Sequence, residues 1–185
     1  MARGPGRGYD HQAVLALGGN LGHRFETIQA AVDALVDTPA LRVERISPVY
    51  ETEPFGGPPG EEGSEDLSDQ PKFLNAVALV ATDLTPLTLL DRALAIEQAL
   101  HRRRDEHWAA RTIDVDIVAY DSLVTHNSRL TVPHPRAHER AFVLVPWNDL
   151  DPEAVLPGWG RVSALLEALK PIKGVERRHD LSLQL

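Results

Sequence analysis

From His107 to Tyr120 the chain reads His-Trp-Ala-Ala-Arg-Thr-Ile-Asp-Val-Asp-Ile-Val-Ala-Tyr. Its second part, residues 112–120, is rich in β-branched and apolar side chains and predicts a strand. Asp114 and Asp116 stand two residues apart, so on a strand they point to the same face. Neighbouring carboxylates repel each other, and burying them is costly unless a cation or a proton compensates. A hard divalent metal such as Mg²⁺, which prefers oxygen ligands, is the usual compensation.

Three further strands and two helices precede this strand. The apolar spacing predicts strands at 12–17, 41–51 and 73–81, and helices at 23–37 and 86–101. Thr85 followed by Pro86 is typical of a helix start, with the threonine as N-cap. The order β-α-β-β-α-β indicates an α+β fold, a ferredoxin-like sandwich. After it we expect a hairpin near 122–131 and a C-terminal helix near 162–169.

The bulk composition excludes several classes of protein. The 185 residues suit one soluble domain, with 43% hydrophobic and 25% charged residues. A net charge of −8 argues against nucleic acid as a partner, and the chain has no cysteine for disulfides or thiolate metal sites. No apolar run approaches the roughly 20 residues that span a bilayer. We therefore expect a cytoplasmic protein with no membrane partner.

Two segments are predicted to lie outside regular structure. Residues 1–11 are rich in Gly, Pro and Arg and predict a disordered leader, so we expect one domain over 12–185. Residues 54–69 are rich in Gly, Pro and acidic side chains. A connection of that length is typically either disordered or a functional lid.

Arginines surround the loop that leads into the Asp114/Asp116 strand. Arg102, Arg103, Arg104 and Arg111 can clamp phosphates, because guanidinium binds oxyanions in a bidentate fashion. Alternatively, one or two of them simply complement the dipole at a helix C-terminus. The aspartates can likewise be two solvated carboxylates on an open strand face. Trp108, in the middle of this loop, is either a packing anchor or a lid residue. Cations beside paired carboxylates favour a polyphosphate substrate.

Weaker signals lie elsewhere in the chain. Phe73 and Asn75 share one strand face, which suits a flat heterocycle, although an ordinary core Phe beside an Asn explains them equally well. The turn Gly18-Gly19-Asn20 is a weak phosphate-binding signal, because no P-loop pattern follows it. His134, between two prolines, lacks the partner spacing of a zinc site. It either binds a phosphate or stabilises a turn.

Several collinear segments together resemble the 6-hydroxymethyl-7,8-dihydropterin pyrophosphokinase family. The strongest is His107–Val118, and it is supported by Glu97 and by other segments in the same order. These are Leu17-Gly-Gly-Asn-Leu21, Ser47-Pro-Val-Tyr-Glu-Thr52, Gln70-Pro-Lys-Phe-Leu-Asn75, Leu130-Thr-Val-Pro-His-Pro-Arg136 and Arg140-Ala-Phe142. The resemblance implies transfer of the β,γ-pyrophosphate of ATP to a hydroxymethyl dihydropterin in folate biosynthesis, by a single pyrophosphokinase domain that we expect to be a monomer.

The resemblance also implies roles for individual residues. Asp114 and Asp116 are expected to hold two Mg²⁺ ions, with Arg102 and Arg111 as catalytic cations on the phosphates. The pterin site is expected to comprise Thr52, Phe55, Phe73, Asn75 and Phe142. The nucleotide site is expected to comprise Glu97, Arg102, Trp108, Arg111, His134 and Arg140. The acidic loop and the arginine/tryptophan loop are expected to be two mobile lids over the substrates.

The chain departs from the family pattern at three places. Ala109-Ala110 stands where some members have Gly-Pro, and Leu94 stands where a Gln can occur, so one polar contact to the nucleotide is expected to be missing. The loop between Phe55 and Gln70 is longer and more acidic than short versions. The rival hypothesis is a ferredoxin-like module that senses a small ligand without turnover. The Arg-x-x-Asp-x-Asp cluster argues against it.

Overall fold

The computed structural model describes residues 9–54, 70–102 and 113–185, without the side chains of residues 101 and 102. Four core strands form an antiparallel sheet: β1 (His11–Gly19), β2 (Leu41–Ile46), β4 (Phe73–Thr82) and β5 (Asp114–Tyr120). Their order across the sheet is β5-β1-β4-β2, with helices α1 (Arg24–Val36) and α2 (Pro86–Arg102) as the crossovers. This arrangement confirms the predicted ferredoxin-like α+β fold. The first strand begins at His11, one residue before the predicted domain start.

The side-chain periodicity explains why these segments form these elements. In β1, Leu15 and Leu17 are almost fully buried against the helices, whereas Val14 belongs to a second apolar cluster on the opposite face. In α1, the buried side chains recur at helical spacing and meet the same sheet face: Ile28, Ala31, Val32 and Leu35. The sheet therefore has an apolar core on each face.

The cap predicted at the start of α2 is present. The backbone N–H of Thr88 donates to Oγ1 of Thr85 (3.3 Å), and the N–H of Leu89 donates to the Thr85 carbonyl (2.8 Å). The first bond satisfies an N–H group that has no partner within the helix, and the second is the first i→i−4 bond of the helix itself. The N-terminus of α2 is fixed in this way.

The second predicted strand, 41–51, is wrong as a single strand. It is divided into β2 and β3 (Tyr50–Thr52), and both pair with the same edge of β4. Pro48, which has no N–H to donate, lies within the break. Ser47 bridges the gap, because its Oγ accepts a hydrogen bond from the N–H of Val77 (2.8 Å) while its own N–H donates to the Val77 carbonyl (2.9 Å).

The C-terminal part contains more structure than the sequence pattern predicts. The expected hairpin is β6 (Thr125–His126) with β7 (Thr131–Val132), and the expected helix is α4 (Val162–Ala168). A short 3-10 helix (Ala137–Glu139), helix α3 (Ala141–Leu150), the hairpin β8 (Val155–Leu156) with β9 (Gly160–Arg161) and strand β10 (Val175–Arg177) were not expected. Proline in a helix interior is unfavourable, and Pro146 lies inside α3, which explains why its pattern is hard to recognise.

Helix α3 gives the sheet a third layer. It packs on β4 and on α4, and its buried side chains Leu144 and Trp147 join the second apolar cluster. Strand β10 extends the sheet by pairing antiparallel with β3. Among the residues that the structure describes, no helix has the length and apolar character needed to cross a bilayer. The uncovered part of this second sheet face, beside the start of α3, holds the candidate site.

Candidate functional site

A cavity of about 180 Å³ opens on the second face of the sheet, at the N-terminal end of α3. Strands β1, β3, β4 and β5 form its floor, and the first residues of α3 form one wall. Its lining includes most of the described site residues expected from the sequence: Thr52, Phe73, Asn75, Asp114, Asp116, Arg140 and Phe142. Residues from distant parts of the chain are thus brought together at one place.

A lateral row of paired residues organises the cavity floor. Tyr50, Asn75, Gly18 and Asp114 are successive partners across β3, β4, β1 and β5. The side chain of Asn75 is buried, and its Nδ2 donates to Oγ1 of Thr52 at 2.6 Å. A Cβ atom at Gly18 would lie only 2.5 Å from Oδ1 of Asn75. Glycine is therefore required at this position to leave room for the amide.

Asp114 and Asp116 lie on the same face of β5, as expected, and both are half-buried. Their partners on β1 are Gly18 and Ala16, two small residues that leave space above the strand. Two carboxylates supply the hard oxygen ligands that suit Mg²⁺, which normally completes its shell with waters and substrate phosphates. The described residues contain no group of three or more His, Cys, Asp or Glu placed for a metal. This donor set fits a metal held jointly with a polyphosphate.

The aspartates also border a second cavity, of about 320 Å³, on the other side of β5. Its lining combines apolar residues, Leu90, Leu94, Ile117 and Leu130, with polar ones that include Glu97, Thr131 and His134. Asp114 and Asp116 are therefore common to two neighbouring cavities. Such an arrangement can hold two ligands on either side of one pair of carboxylates.

Glu97 is expected on the nucleotide side, and it lines this second cavity. The structure also gives it a bond to the strand that carries the aspartates. Its Oε1 accepts a hydrogen bond from the backbone N–H of Val115 at 2.6 Å. Since Val115 lies between Asp114 and Asp116, the Glu97 carboxylate holds the edge strand at that point.

His134 is held in one orientation by backbone contacts. Its N–H donates to the carbonyl of Val118 (2.9 Å), and the N–H of Arg136 donates to its Nδ1 (3.2 Å). Burial, followed by the nearby charges of Arg140 and Arg136, lowers the pKa of His134 to about 4. The ring is therefore neutral at physiological pH. Its Nδ1 faces the Arg136 N–H, and its Nε2 faces the guanidinium of Arg140.

Arg140 lies at the N-terminal end of α3, where the cavity begins. Its guanidinium carbon lies 5.6 Å from the centre of the Phe142 ring, and its Nη1 lies 3.5 Å from Nε2 of His134. Burial lowers the pKa of Arg140, while the charge of Asp116 raises it. Its Nε is buried and has no hydrogen-bond partner in the described part of the chain. Arg140 is thus a cation beside the carboxylates with a donor still available.

Four of the expected site residues lie outside what the structure describes. Phe55, Trp108 and Arg111 are outside the described ranges, and Arg102 is described by its backbone alone, at the end of α2. Both expected lids fall largely in the same two gaps, 55–69 and 103–112. The role of Gly18 in making room for Asn75 was missed from sequence. The glycine pair at the end of β1 was the available signal, and it was interpreted as a weak phosphate-binding turn.

Comparison with known proteins gives a consistent result. Residues 14–152 match the family model described as 7,8-dihydro-6-hydroxymethylpterin-pyrophosphokinase. The chain is 42% identical over 163 residues to the 2-amino-4-hydroxy-6-hydroxymethyldihydropteridine pyrophosphokinase of Pseudomonas aeruginosa, covering 88% of this chain and 94% of that protein. It is 40% identical over 166 residues to the protein of the same name from Methylorubrum extorquens, with 90% and 98% covered.

Solved structures show the same fold at much lower sequence identity. A crystal structure of HPPK-DHPS from Plasmodium falciparum superposes with a TM-score of 0.69 at 16% identity, and a second one with 0.64 at 17%. They cover 92% and 88% of this chain, which spans 49% and 44% of those longer chains. The curated relatives, in contrast, match over nearly their whole length. The predicted family is confirmed: the chain belongs to the 7,8-dihydro-6-hydroxymethylpterin pyrophosphokinases, ATP-dependent transferases of folate biosynthesis.

Proposed function

We propose that the two neighbouring cavities bind a hydroxymethyl dihydropterin and ATP, and that pyrophosphoryl transfer takes place between them at Asp114 and Asp116. The observation that carries this proposal is that these two carboxylates line both cavities. A pair of acidic groups between two ligand sites is suited to neutralise the triphosphate through bound Mg²⁺. The products are the pterin diphosphate and AMP.

The smaller cavity takes the pterin in this proposal. Phe73 and Phe142 supply aromatic rings for the flat heterocycle, and the Asn75 amide and the backbone near Thr52 supply polar partners for its edge. Support comes from the position of all four residues around one cavity floor. Because Asn75 is already hydrogen-bonded to Thr52, its side chain is held in place before the ligand arrives. Phe55 is proposed to contribute to pterin binding as well.

The larger cavity takes the nucleotide. Its apolar walls at Leu90, Leu94 and Leu130 suit an adenine base, and Leu94 provides packing where a polar side chain would provide a hydrogen bond. His134 and Arg140 are proposed to bind phosphate oxygens beside the aspartates. Arg102 and Arg111 are proposed to bind the phosphates, and Trp108 is proposed to bind the nucleotide with them.

The reaction is an in-line displacement at the β-phosphorus. The hydroxymethyl oxygen of the pterin forms the new P–O bond, the bond between the β-phosphorus and the oxygen bridging to the α-phosphate breaks, and the hydroxyl proton is lost. Two Mg²⁺ ions held by Asp114 and Asp116 would supply charge neutralisation and activation of the attacking hydroxyl. The residues of the chain contribute mainly orientation and charge, as is usual in phosphoryl-type transfer. Arg102 and Arg111 are proposed to stabilise the charge that develops on AMP.

The proposal is tested by removing one carboxylate charge. Asp116→Asn is expected to lower turnover by about a thousandfold or more. The variant loses one of the two carboxylates that are proposed to hold the phosphate-bound Mg²⁺. The matched control is Asp91→Asn, which changes an exposed aspartate paired with Arg129 on the surface of α2. Activity is measured as pterin-dependent AMP formation at saturating Mg²⁺. Near-normal activity of Asp116→Asn would contradict the proposed role of the aspartates.

We also infer that one chain acts by itself, as a monomeric domain over residues 12–185 in the cytoplasm. In support, one copy of the chain brings together described residues expected for both substrates around two adjoining cavities. Sedimentation at the enzyme concentration of the assay is expected to give a single species of about 20.4 kDa. A dimer that loses activity on dilution would contradict this inference.

A further inference from the structure

A part-buried hydrogen bond joins strand β3, beside the smaller cavity, to helix α3. The hydroxyl of Tyr50, on β3, donates to Oδ2 of Asp149, near the end of α3. Tyr50 is 5% exposed, so its ring is enclosed between the strand and the helix. Burial, and after it the hydrogen bond to Asp149, raises the pKa of the Tyr50 hydroxyl. The phenol therefore remains a proton donor throughout the physiological pH range.

Both ends of this bond are attached to residues of the proposed pterin pocket. Tyr50 is the register partner of Asn75, and it lies two residues before Thr52 on the same strand face. Asp149 lies seven residues after Phe142, which is about two helical turns and places both side chains on the same side of α3. The bond thus connects β3, whose Thr52 is hydrogen-bonded to Asn75, to helix α3, which carries Phe142.

We propose that Tyr50 and Asp149 are positioning residues, whose hydrogen bond sets the separation between β3 and α3 and thereby the width of the pterin pocket. The inference rests on the proposed function of that pocket and adds two residues that do not line it. A second contact of the same kind lies elsewhere in the sheet. The hydroxyl of Tyr120, 4% exposed on β5, donates to the carbonyl of Leu84 at 2.8 Å. It offers a matched control.

The test compares Tyr50→Phe, Asp149→Ala, the double variant and the control Tyr120→Phe. For each protein, the dissociation constant of 6-hydroxymethyl-7,8-dihydropterin is measured with Mg²⁺ and α,β-methylene-ATP, whose bridging bond cannot be cleaved. The dissociation constant of the nucleotide analogue alone and kcat at saturating pterin are measured as well. Tyr50→Phe removes the hydroxyl and keeps the buried ring, and Asp149→Ala removes the acceptor at the exposed end of the same contact.

We expect each single variant to weaken pterin binding by about fivefold, the size of one ordinary hydrogen bond. The double variant should be no weaker than either single variant, because both remove the same bond. Nucleotide binding and saturated kcat should change by less than about twofold, and Tyr120→Phe should bind pterin as the wild type does.

Unchanged pterin binding in both single variants would overturn the inference, as would additive losses in the double variant. An equal loss in Tyr120→Phe would also overturn it, because general loosening of the sheet would then account for the effect. A wild-type protein that binds the nucleotide analogue but no pterin would instead overturn the proposed function, and this inference with it.

Discussion

Gly18 lies between Asn75 on β4 and Asp114 on β5, and the absence of a side chain there is part of the site. The Asn75 amide fills the space above the Cα atom of Gly18, and Asp114 is the partner of Gly18 on β5. The lateral row Tyr50, Asn75, Gly18 and Asp114 therefore depends on a residue that has no side chain. Charged and aromatic residues are easier to recognise in a sequence than such a requirement for space.

Replacing Gly18 tests this requirement. In Gly18→Ala the new Cβ would meet Oδ1 of Asn75 at 2.5 Å, so the amide must move and its bond to Thr52 is disturbed. We expect pterin binding to weaken by about tenfold, while nucleotide binding changes little. Calorimetric titration with each ligand separately measures the change in pterin binding and the change in nucleotide binding. Equal weakening of both ligands would indicate a general distortion of β1 instead.

The neutral state of His134 predicts a pH dependence of stability. The pKa of His134 is lowered to about 4 in the folded chain, below its ordinary value of 6.5, so the unfolded chain binds this proton more readily. Lowering the pH from about 6.5 to 4 therefore favours unfolding through this group, and the contribution is constant below that window.

The variant His134→Asn isolates this contribution, since an amide oxygen can replace Nδ1 as acceptor for the Arg136 N–H. Urea unfolding of both proteins is compared at pH 7 and at pH 4.5. The wild type is expected to lose more free energy of unfolding than the variant over this interval. Equal losses in the two proteins would show that His134 titrates normally in the folded state.

At the edge of β4, the side chain of Ser47 replaces a backbone hydrogen bond of the sheet between β2 and β3. Ser47 is 3% exposed and takes the place of the missing ladder contact between β2 and β3. Its Oγ also donates to the Pro48 carbonyl at 2.8 Å, so the hydroxyl is used twice. The break turns the chain so that Tyr50 and Thr52 can approach Asn75.

Ser47→Ala is expected to destabilise the protein by about 1 to 3 kcal/mol, because the buried N–H of Val77 loses its acceptor. The control is Ser182→Ala, an exposed serine near the C-terminus whose hydroxyl accepts a long bond from Gln184. That change should have almost no effect on the free energy of unfolding. Chemical denaturation measures both variants, and similar midpoints for the two would contradict the bridging role of Ser47.

The order of the core elements could be predicted because apolar periodicity and helix capping are local properties of the chain. The spacing of Ile28, Val32 and Leu35 predicts α1 to within a residue at each end. Helix α3 could not be predicted in the same way, because Pro146 and the nearly continuous apolar run around it hide its period. Strand β10, three residues long, depends on pairing with β3, a contact between distant parts of the chain.

In the molecule as a whole, helices α1 and α2 cover one sheet face with a continuous apolar core, while α3 covers only part of the other. The smaller cavity opens on that second face, and the larger cavity lies beside α2 and β5. The structure places Asp114, Asp116, Asn75, Phe73 and Phe142, which the family resemblance assigns to the site, around one cavity, and their roles stay predictions. The contact of Tyr50 with Asp149 is visible only in the folded structure.

The most direct test of the central claim is the identity of the nucleotide product. ATP, Mg²⁺ and the purified chain are followed by ³¹P NMR with and without 6-hydroxymethyl-7,8-dihydropterin. We expect AMP and a pterin diphosphate to form in equal amounts, and only when the pterin is present. Formation of ADP would show transfer of a single phosphoryl group and contradict attack at the β-phosphorus. Pterin binding without any AMP would contradict catalysis at Asp114 and Asp116.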